Sequence, residues 1–249
     1  MNMKIMTSLS AFEFRLFSRN LINMFFLLVF PTLMILLFGG IFGNEPQELY
    51  GWRGTVDVSV PAYAGMIISV TGLMSLPLTL SEYREKRILK RYKATPMEPI
   101  YVILSQVLIS TIMTVVGMLL LIIVAKLVFG LRFEGNVVAV IAVFLYSTLS
   151  LYSLGFLLAS LAPNMKAATA LANLVYFPML FLTGATIPIE VMPDIMRKIA
   201  QFLPVTHIVS AMKTVWFGDS ILSAWPNLLV ITGCLVVCLA LSLKFFRWE

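Results

Sequence analysis

The sequence predicts an all-α membrane protein with six transmembrane helices and both termini on the cytoplasmic side. Three observations carry that expectation. The first is that six stretches contain no Asp, Glu, Lys, Arg or His: 20–44, 58–81, 99–125, 135–165, 167–189 and 220–243. A helix needs roughly 20 apolar residues to cross a hydrocarbon core of about 30 Å, and each stretch is long enough. The second is composition. Of 249 residues, 60% are hydrophobic and 12% charged, with a mean hydropathy of +0.95. A soluble domain carries about 25% charged residues, so this chain lacks the polar surface to cover a water-soluble globule. The spans and their loops take up the chain, which reads as one membrane domain over 1–249. The third is charge segregation. With six spans, twelve Lys and Arg fall on the side of the termini against five acids, and six fall on the other side against seven acids. Lys and Arg mark the cytoplasmic side. The same segregation places the net charge of +6 at membrane flanks and argues against a nucleic-acid partner.

The elements follow in order. Within residues 1–20, the stretch 4–19 reads as an amphipathic helix. Ile5, Leu9, Phe12 and Leu16 lie on one face, and Lys4, Ser8, Arg15 and Arg19 on another. Such a helix lies flat among lipid headgroups. Span one, 21–42, contains Pro31 and is longer than a signal-peptide core, so it reads as a retained span. Span two, 60–80, carries Pro61, Gly65, Gly72, Ser75 and Pro77. Small residues let a neighbouring helix approach, and a proline frees a carbonyl that must find another partner. The 82–98 loop is the most polar stretch of the basic side. Glu82 and Lys86 are spaced for an i,i+4 pair, while Tyr83, Ile88, Leu89 and Tyr92 are apolar or aromatic among charges. The pattern predicts a separate short helix over 82–93, stopped by Pro96.

Spans three, four, five and six are expected at 100–124, 137–161, 168–187 and 226–243, with Lys126 snorkelling outward. The external segment 188–225 is the longest loop, yet it is apolar. Pro193 opens one helix bearing Ile195, Met196, Ile199 and Phe202, and Pro204 stops it. Thr206 caps a second helix ending at Phe217–Gly218. Together they read as a re-entrant hairpin.

The chemistry-bearing residues exclude several classes. No Gly-x-x-x-x-Gly-Lys-Ser/Thr loop is present, so the chain itself has no usual ATP site. The one histidine, His207, makes no zinc site and reads as a hydrogen-bonded loop side chain. Cys234 and Cys238, one turn apart in span six, read as packing residues. No span offers an ionisable side chain for a coupling ion or an intramembrane hydrolase. A lipid-acting enzyme would have only Glu190, Asp194, His207 and Asp219 of the external loop. A docking helix that fits a groove on a soluble partner is the sharper reading of 82–98, because such docking uses apolar anchors at helical spacing. A plain solvated basic loop is the other. Gln106, Asn173, Tyr176 and Pro178 are candidates for lining a pathway, with interhelical hydrogen bonding as the alternative role.

Six spans, an amphipathic N-terminal helix and a charged loop ending in Ala94-Thr95-Pro96 resemble the ABC-2 type exporter permeases of bacteria, and most the drug-resistance branch. That family's loop reads Glu-Arg-(Glu)-x-Gly-Thr-x-x-x-Leu-x-Ala-Thr-Pro. Glu82, Arg84, Glu85, Leu89, Ala94, Thr95 and Pro96 fit its sense, while Lys86 and Arg87 stand where Gly-Thr is usual. Gly184-Ala185-Thr186-Ile187-Pro188, Met192-Pro193 and Phe202-Leu203-Pro204-Val205-Thr206 resemble the signature before the last span. The resemblance implies export of an amphipathic or hydrophobic cargo across the bacterial cytoplasmic membrane. It implies two permeases, identical or homologous, with two cytoplasmic ATPases that hold ATP and Mg, this chain carrying no cofactor. It makes 82–98 the coupling element, with Glu82, Tyr83, Arg84, Glu85, Ile88, Leu89, Tyr92, Ala94, Thr95 and Pro96 as its residues. Spans one and five would form the contact between permeases. The Glu-Ala-Ala loop of importers is absent. A polysaccharide or lipid-linked glycan exporter remains an alternative cargo reading, and a secondary carrier an alternative class.

Overall fold

The computed structural model describes residues 3–88, 100–184 and 192–245, with the side chains of 3–5 and Leu49 left undescribed. Six helices are long and apolar enough to cross a membrane, and no strand occurs among the described residues. Helix α1 (Met3–Arg19) precedes the spans. The spans are α2 (Leu21–Phe42), α3 (Thr55–Glu85), α4 (Ile100–Phe129), α5 (Val137–Leu161) and α6 (Met165–Leu182). Two short helices follow, α7 (Asp194–Ala200) and α8 (Pro204–Trp216). A 3₁₀ turn, Ile221–Ala224, then leads into the last span, α9 (Trp225–Phe245).

Asparagine starts three of the spans. Asn20 Oδ1 accepts from Asn23 N at 3.1 Å, Asn136 Oδ1 from Val138 N at 2.8 Å, and Asn164 Oδ1 from Ala167 N at 2.9 Å. Each occupies an N-cap position and pairs an otherwise unpaired N–H. Helix α3 lacks such a residue at its own cap, Gly54. Asn44 supplies the group from the preceding loop, its Oδ1 accepting from Val56 N at 3.1 Å and Asp57 N at 3.2 Å. The approach is close enough that a Cβ on Gly54 would lie 1.9 Å from that oxygen.

Helix α3 is the axis of the bundle. Its most apolar window is 83% buried, against 22% for α2, 28% for α6 and 17% for α9. Helices α3 and α5 cross in close contact: a Cβ on Gly155 would lie 2.0 Å from the Gly72 carbonyl. Polar groups add to the apolar contacts. Thr114 Oγ1 lies 2.9 Å from Thr71 Oγ1 and 3.1 Å from Tyr152 Oη, joining α4, α3 and α5. Tyr146 Oη meets Thr232 Oγ1 at 2.6 Å, and Ser150 Oγ donates to Ile231 O at 2.8 Å, joining α5 to α9.

Two features of α2 and α3 were not expected. Each contains a π turn, Phe25–Val29 and Val70–Ser75, two residues ahead of a proline, Pro31 and Pro77. Proline offers no N–H and its ring crowds the carbonyl four residues back, so the helix widens just before it. The two wide turns touch, and Asn23 Nδ2 beside the first donates to Ser75 Oγ in the second at 3.2 Å.

Several boundaries differ from expectation. Span two is longer than 60–80 because α3 runs unbroken from Thr55 to Glu85. The separate helix expected from residue 82 therefore does not begin there: 82–85 end α3, and the chain turns at Lys86–Arg87. Arg87 takes φ +55°, a left-handed conformation that glycine adopts more easily. Span three continues to Phe129, with Lys126 exposed near its end. Span five starts at Met165 and span six at Trp225. The expected end of span five at 187, residues 188–191 of the hairpin, and Leu89 to Pro99 lie outside the described residues.

In the segment between spans five and six Pro204 opens α8 instead of merely ending α7, because its fixed φ suits a first helical position. Thr206 is thus inside the helix, and its buried hydroxyl has no hydrogen-bond partner among the described residues. Helix α8 packs on α3, α5 and α9 with Val205, Ile208, Val209, Met212 and Val215 buried. The face of α7 stays open: Ile195 is 75% exposed and Phe202, beyond its end, 86%. Phe217 ends α8, and Gly218 at φ +90° turns the chain.

Candidate functional site

The end of α3 is where the sequence places its densest group of candidate residues, and the structure gives each described one a specific partner. Tyr83 is 3% exposed. Its hydroxyl donates to the Glu13 carboxylate of α1, 2.7 Å from Oε1 and 2.8 Å from Oε2. Leu9, Tyr83 and Val102 form a small apolar cluster beside this contact, fixing α1 against α3 and α4. The face of α1 is therefore divided. Leu9 and Glu13, one turn apart, point into the protein, while Phe12 and Leu16 remain exposed as an apolar strip.

Arg84 Nη2 donates to Ala159 O at 3.0 Å and to Ala162 O. These carbonyls end α5, so the guanidinium completes its C-terminus. Glu85 Oε2 accepts from Met165 N at 2.8 Å, at the first turn of α6, where a carboxylate favours the positive end of the helix dipole. Glu82 pairs with Lys86 as its i,i+4 spacing predicts. Lys86 and Arg87 are exposed and Ile88 is half-buried. Residues 82–85 thus tie α3 to α1, to the end of α5 and to the start of α6. Leu89, Tyr92, Ala94, Thr95 and Pro96 lie outside the described residues.

Burial makes Glu13 unusual. Desolvation pushes its carboxyl from the ordinary 4.5 up to about 7, and the Tyr83 hydrogen bond opposes that rise. A cleft of about 690 Å³ adjoins it, walled by α1, the start of α2, the end of α3 and the start of α4, which together make the lower end of the bundle. Gln106 lines this cleft. Asn173, Tyr176 and Pro178 do not join it. They lie on α6, with Tyr176 wholly buried and Pro178 exposed. The Tyr176 hydroxyl has no hydrogen-bond partner among the described residues. The structure therefore divides the four pathway candidates into one on α4 and three on α6.

Sequence reasoning missed Glu13, Asn23 and Ser75. Glu13 was legible only as an acid on an amphipathic helix, although it falls one turn after Leu9. Asp57, at the opposite end of α3, was missed too. It is 4% exposed, and its Oδ1 accepts from Arg132 N at 2.9 Å and from Asn44 Nδ2 at 3.1 Å, linking two loops. His207 is hydrogen-bonded as expected but sits in helix α8 instead of a loop, with Nδ1 2.9 Å from Asn227 Oδ1 of α9 and Nε2 2.9 Å from Gln201 O. Cys234 and Cys238 are free thiols 3.9 Å apart.

Residues 6–217 match the family model described as ABC-2 type transporter. The chain is 24% identical over 195 residues to "Inner membrane transport permease YhhJ" of Escherichia coli (strain K12), covering 75% of this chain and 52% of that protein. It is 20% identical to "Probable multidrug ABC transporter permease YbhS" of the same organism, covering 76% and 49%. It is 21% identical over 248 residues to "Putative transport permease YvfS" of Bacillus subtilis (strain 168), covering 98% of both. The chain thus spans about half the length of the two Escherichia coli relatives and nearly all of the Bacillus one.

Proposed function

Since the chain belongs to the ABC-2 type transporter family, we propose that it is the membrane-spanning permease subunit of an ATP-driven exporter. It works with two cytoplasmic ATPase subunits and a second permease, identical or homologous, in the bacterial cytoplasmic membrane. ATP and Mg bind the ATPases. Both termini and the 82–98 loop face the cytosol, as the twofold excess of Lys and Arg on that side supports. The cargo is an amphipathic or hydrophobic molecule, in keeping with six charge-free stretches long enough to cross the membrane and with a relative named as a probable multidrug transporter permease.

The observation that carries the reading is the junction at 82–85. Here one short segment holds α1 through Tyr83, α5 through Arg84 and α6 through Glu85. An ATPase that pushes on the adjoining 86–98 stretch moves the ends of several helices together. Closely packed helices respond by rigid-body shifts, since a dense core does not deform smoothly. Tyr83, Arg84 and Glu85 act as transmitters inside the permease. The surface offered to the ATPase is formed by Ile88, Leu89, Tyr92 and Ala94 to Pro96. The apolar flanks of α2 and α6, the least buried spans besides α9, suit contact with the second permease and the cargo. Pro178 lies exposed on that α6 flank with Asn173 half-buried, while Tyr176 faces the core.

The test is purification of the chain with the phosphate-loop ATPase of a neighbouring reading frame, followed by a screen for cargo-stimulated ATP hydrolysis. The reading expects hydrolysis that rises with an amphipathic compound and needs both proteins. Uphill solute movement by this chain alone, driven by an ion gradient without nucleotide, overturns it.

A further inference from the structure

The cleft between α1 and the lower ends of α2, α3 and α4 has a polar content that packing does not explain. Gln106 lines it and is 4% exposed. Its Oε1 is buried and has no hydrogen-bond partner among the described residues. Glu13, also on the wall, is 4% exposed, and the Tyr83 hydroxyl is the donor to its carboxylate. Among the described residues no Lys, Arg or His forms an ion pair with Glu13. Both groups accept hydrogen bonds, and one carries negative charge when ionised. A buried acceptor without a donor is costly, so the cleft is incomplete as it stands. The rest of the wall is mixed: Phe17, Leu21 and Ile109 are apolar, Lys86 is paired with Glu82, and Arg19 is exposed at the rim. The volume, about 690 Å³, is that of a small-molecule site.

We propose that this cleft binds an amphiphile bearing a primary ammonium group. The N–H donors meet Gln106 Oε1 and the Glu13 carboxylate, and the apolar tail lies along Phe17, Leu21 and Ile109. A primary ammonium carries three N–H donors and a positive charge, which is what two buried acceptors lack. A quaternary ammonium has the charge without the donors. An anionic amphiphile meets Glu13 unfavourably. Two sources share this chemistry: phosphatidylethanolamine of the surrounding leaflet, and a free amphiphilic amine. The proposal does not rest on the export reading, because binding needs neither ATPase nor nucleotide.

The test uses the full chain in phosphatidylcholine nanodiscs with a photoreactive long-chain primary alkylamine as probe. Labelled peptides are mapped by mass spectrometry. Saturable labelling of α1 and the lower part of α4 is expected. Dodecylamine competes it away, and dodecyltrimethylammonium and dodecyl sulfate do so at least about tenfold less well, the discrimination expected from one lost charge-assisted hydrogen bond. Gln106→Leu weakens labelling by a similar factor. Gln106→Glu keeps an acceptor at the same place and retains it, which separates loss of binding from loss of fold. Phosphatidylethanolamine added to the nanodiscs lowers labelling if the lipid is the occupant, and leaves it unchanged if free amines are. Label spread evenly over the lipid-facing spans overturns the site. So does equal competition by the quaternary compound, or the failure of Gln106→Glu to bind.

Discussion

Glu13 shows how one buried residue sets a condition on the whole chain. Its carboxyl titrates near 7 when folded and at the ordinary 4.5 when exposed, with burial as the leading cause. Between those values the folded chain holds a proton that the unfolded chain has lost, so stability falls as pH rises through that window. Below it both states are protonated and the contribution is constant. We expect thermal unfolding of the detergent-solubilised protein to occur at lower temperature at about pH 8 than at about pH 5. Glu13→Gln should flatten that difference, and an unchanged pH profile in the variant would assign it to other groups. Asn44 makes a second residue-scale prediction. Its side chain caps α3 and donates to Asp57. Asn44→Ala removes all of these bonds at once and should cost about 1–3 kcal/mol in a denaturation measurement.

At the scale of elements, the crossing of α3 and α5 tolerates no side chain at Gly155, where a Cβ would lie 2.0 Å from the Gly72 carbonyl. Gly155→Ala forces the helices apart, and overpacking of this kind costs about 1–3 kcal/mol. Size-exclusion chromatography should show a reduced folded fraction, whereas Gly40→Ala, with open space around its Cβ position, should behave as the parent. The elements also explain what the sequence could tell. Six spans were legible because charge is excluded from hydrocarbon depth, a signal that every residue of a span repeats. The prolines at 31 and 77 were equally visible, but the π turns before them were not. How a helix reshapes ahead of a proline depends on the neighbouring helix, and here the two wide turns meet beside the Asn23–Ser75 contact. The end of α3 was misjudged for a related reason. Glu82, Arg84 and Glu85 are charged and read as leaving the membrane helix. In the structure Arg84 and Glu85 serve the ends of α5 and α6, partners some 80 positions away in sequence. Helix caps that reach across the chain leave no local pattern. Arg87 lacked the glycine that usually announces a left-handed turn.

For the whole molecule, the bundle is organised so that the deeply buried α3 connects two polar assemblies, one at each end. Asn44, Asp57 and the Arg132 backbone gather at one. Glu13, Tyr83, Arg84 and Glu85 gather at the other. A helix held at both ends and packed along its length carries displacement from one to the other, which suits a subunit moved by a partner. The expected topology follows from charge: a cysteine introduced at Arg19→Cys should react with a membrane-impermeant maleimide only in inverted vesicles, and one at Glu48→Cys only in intact cells.

On the proposed reading, force enters through the segment after α3. The decisive experiment replaces Leu89 and Tyr92 both by Asp and weighs the ATPase that co-purifies with the chain. Normal membrane insertion and yield are expected, with the ATPase lost from the complex. A full complement of ATPase on that double variant would contradict it.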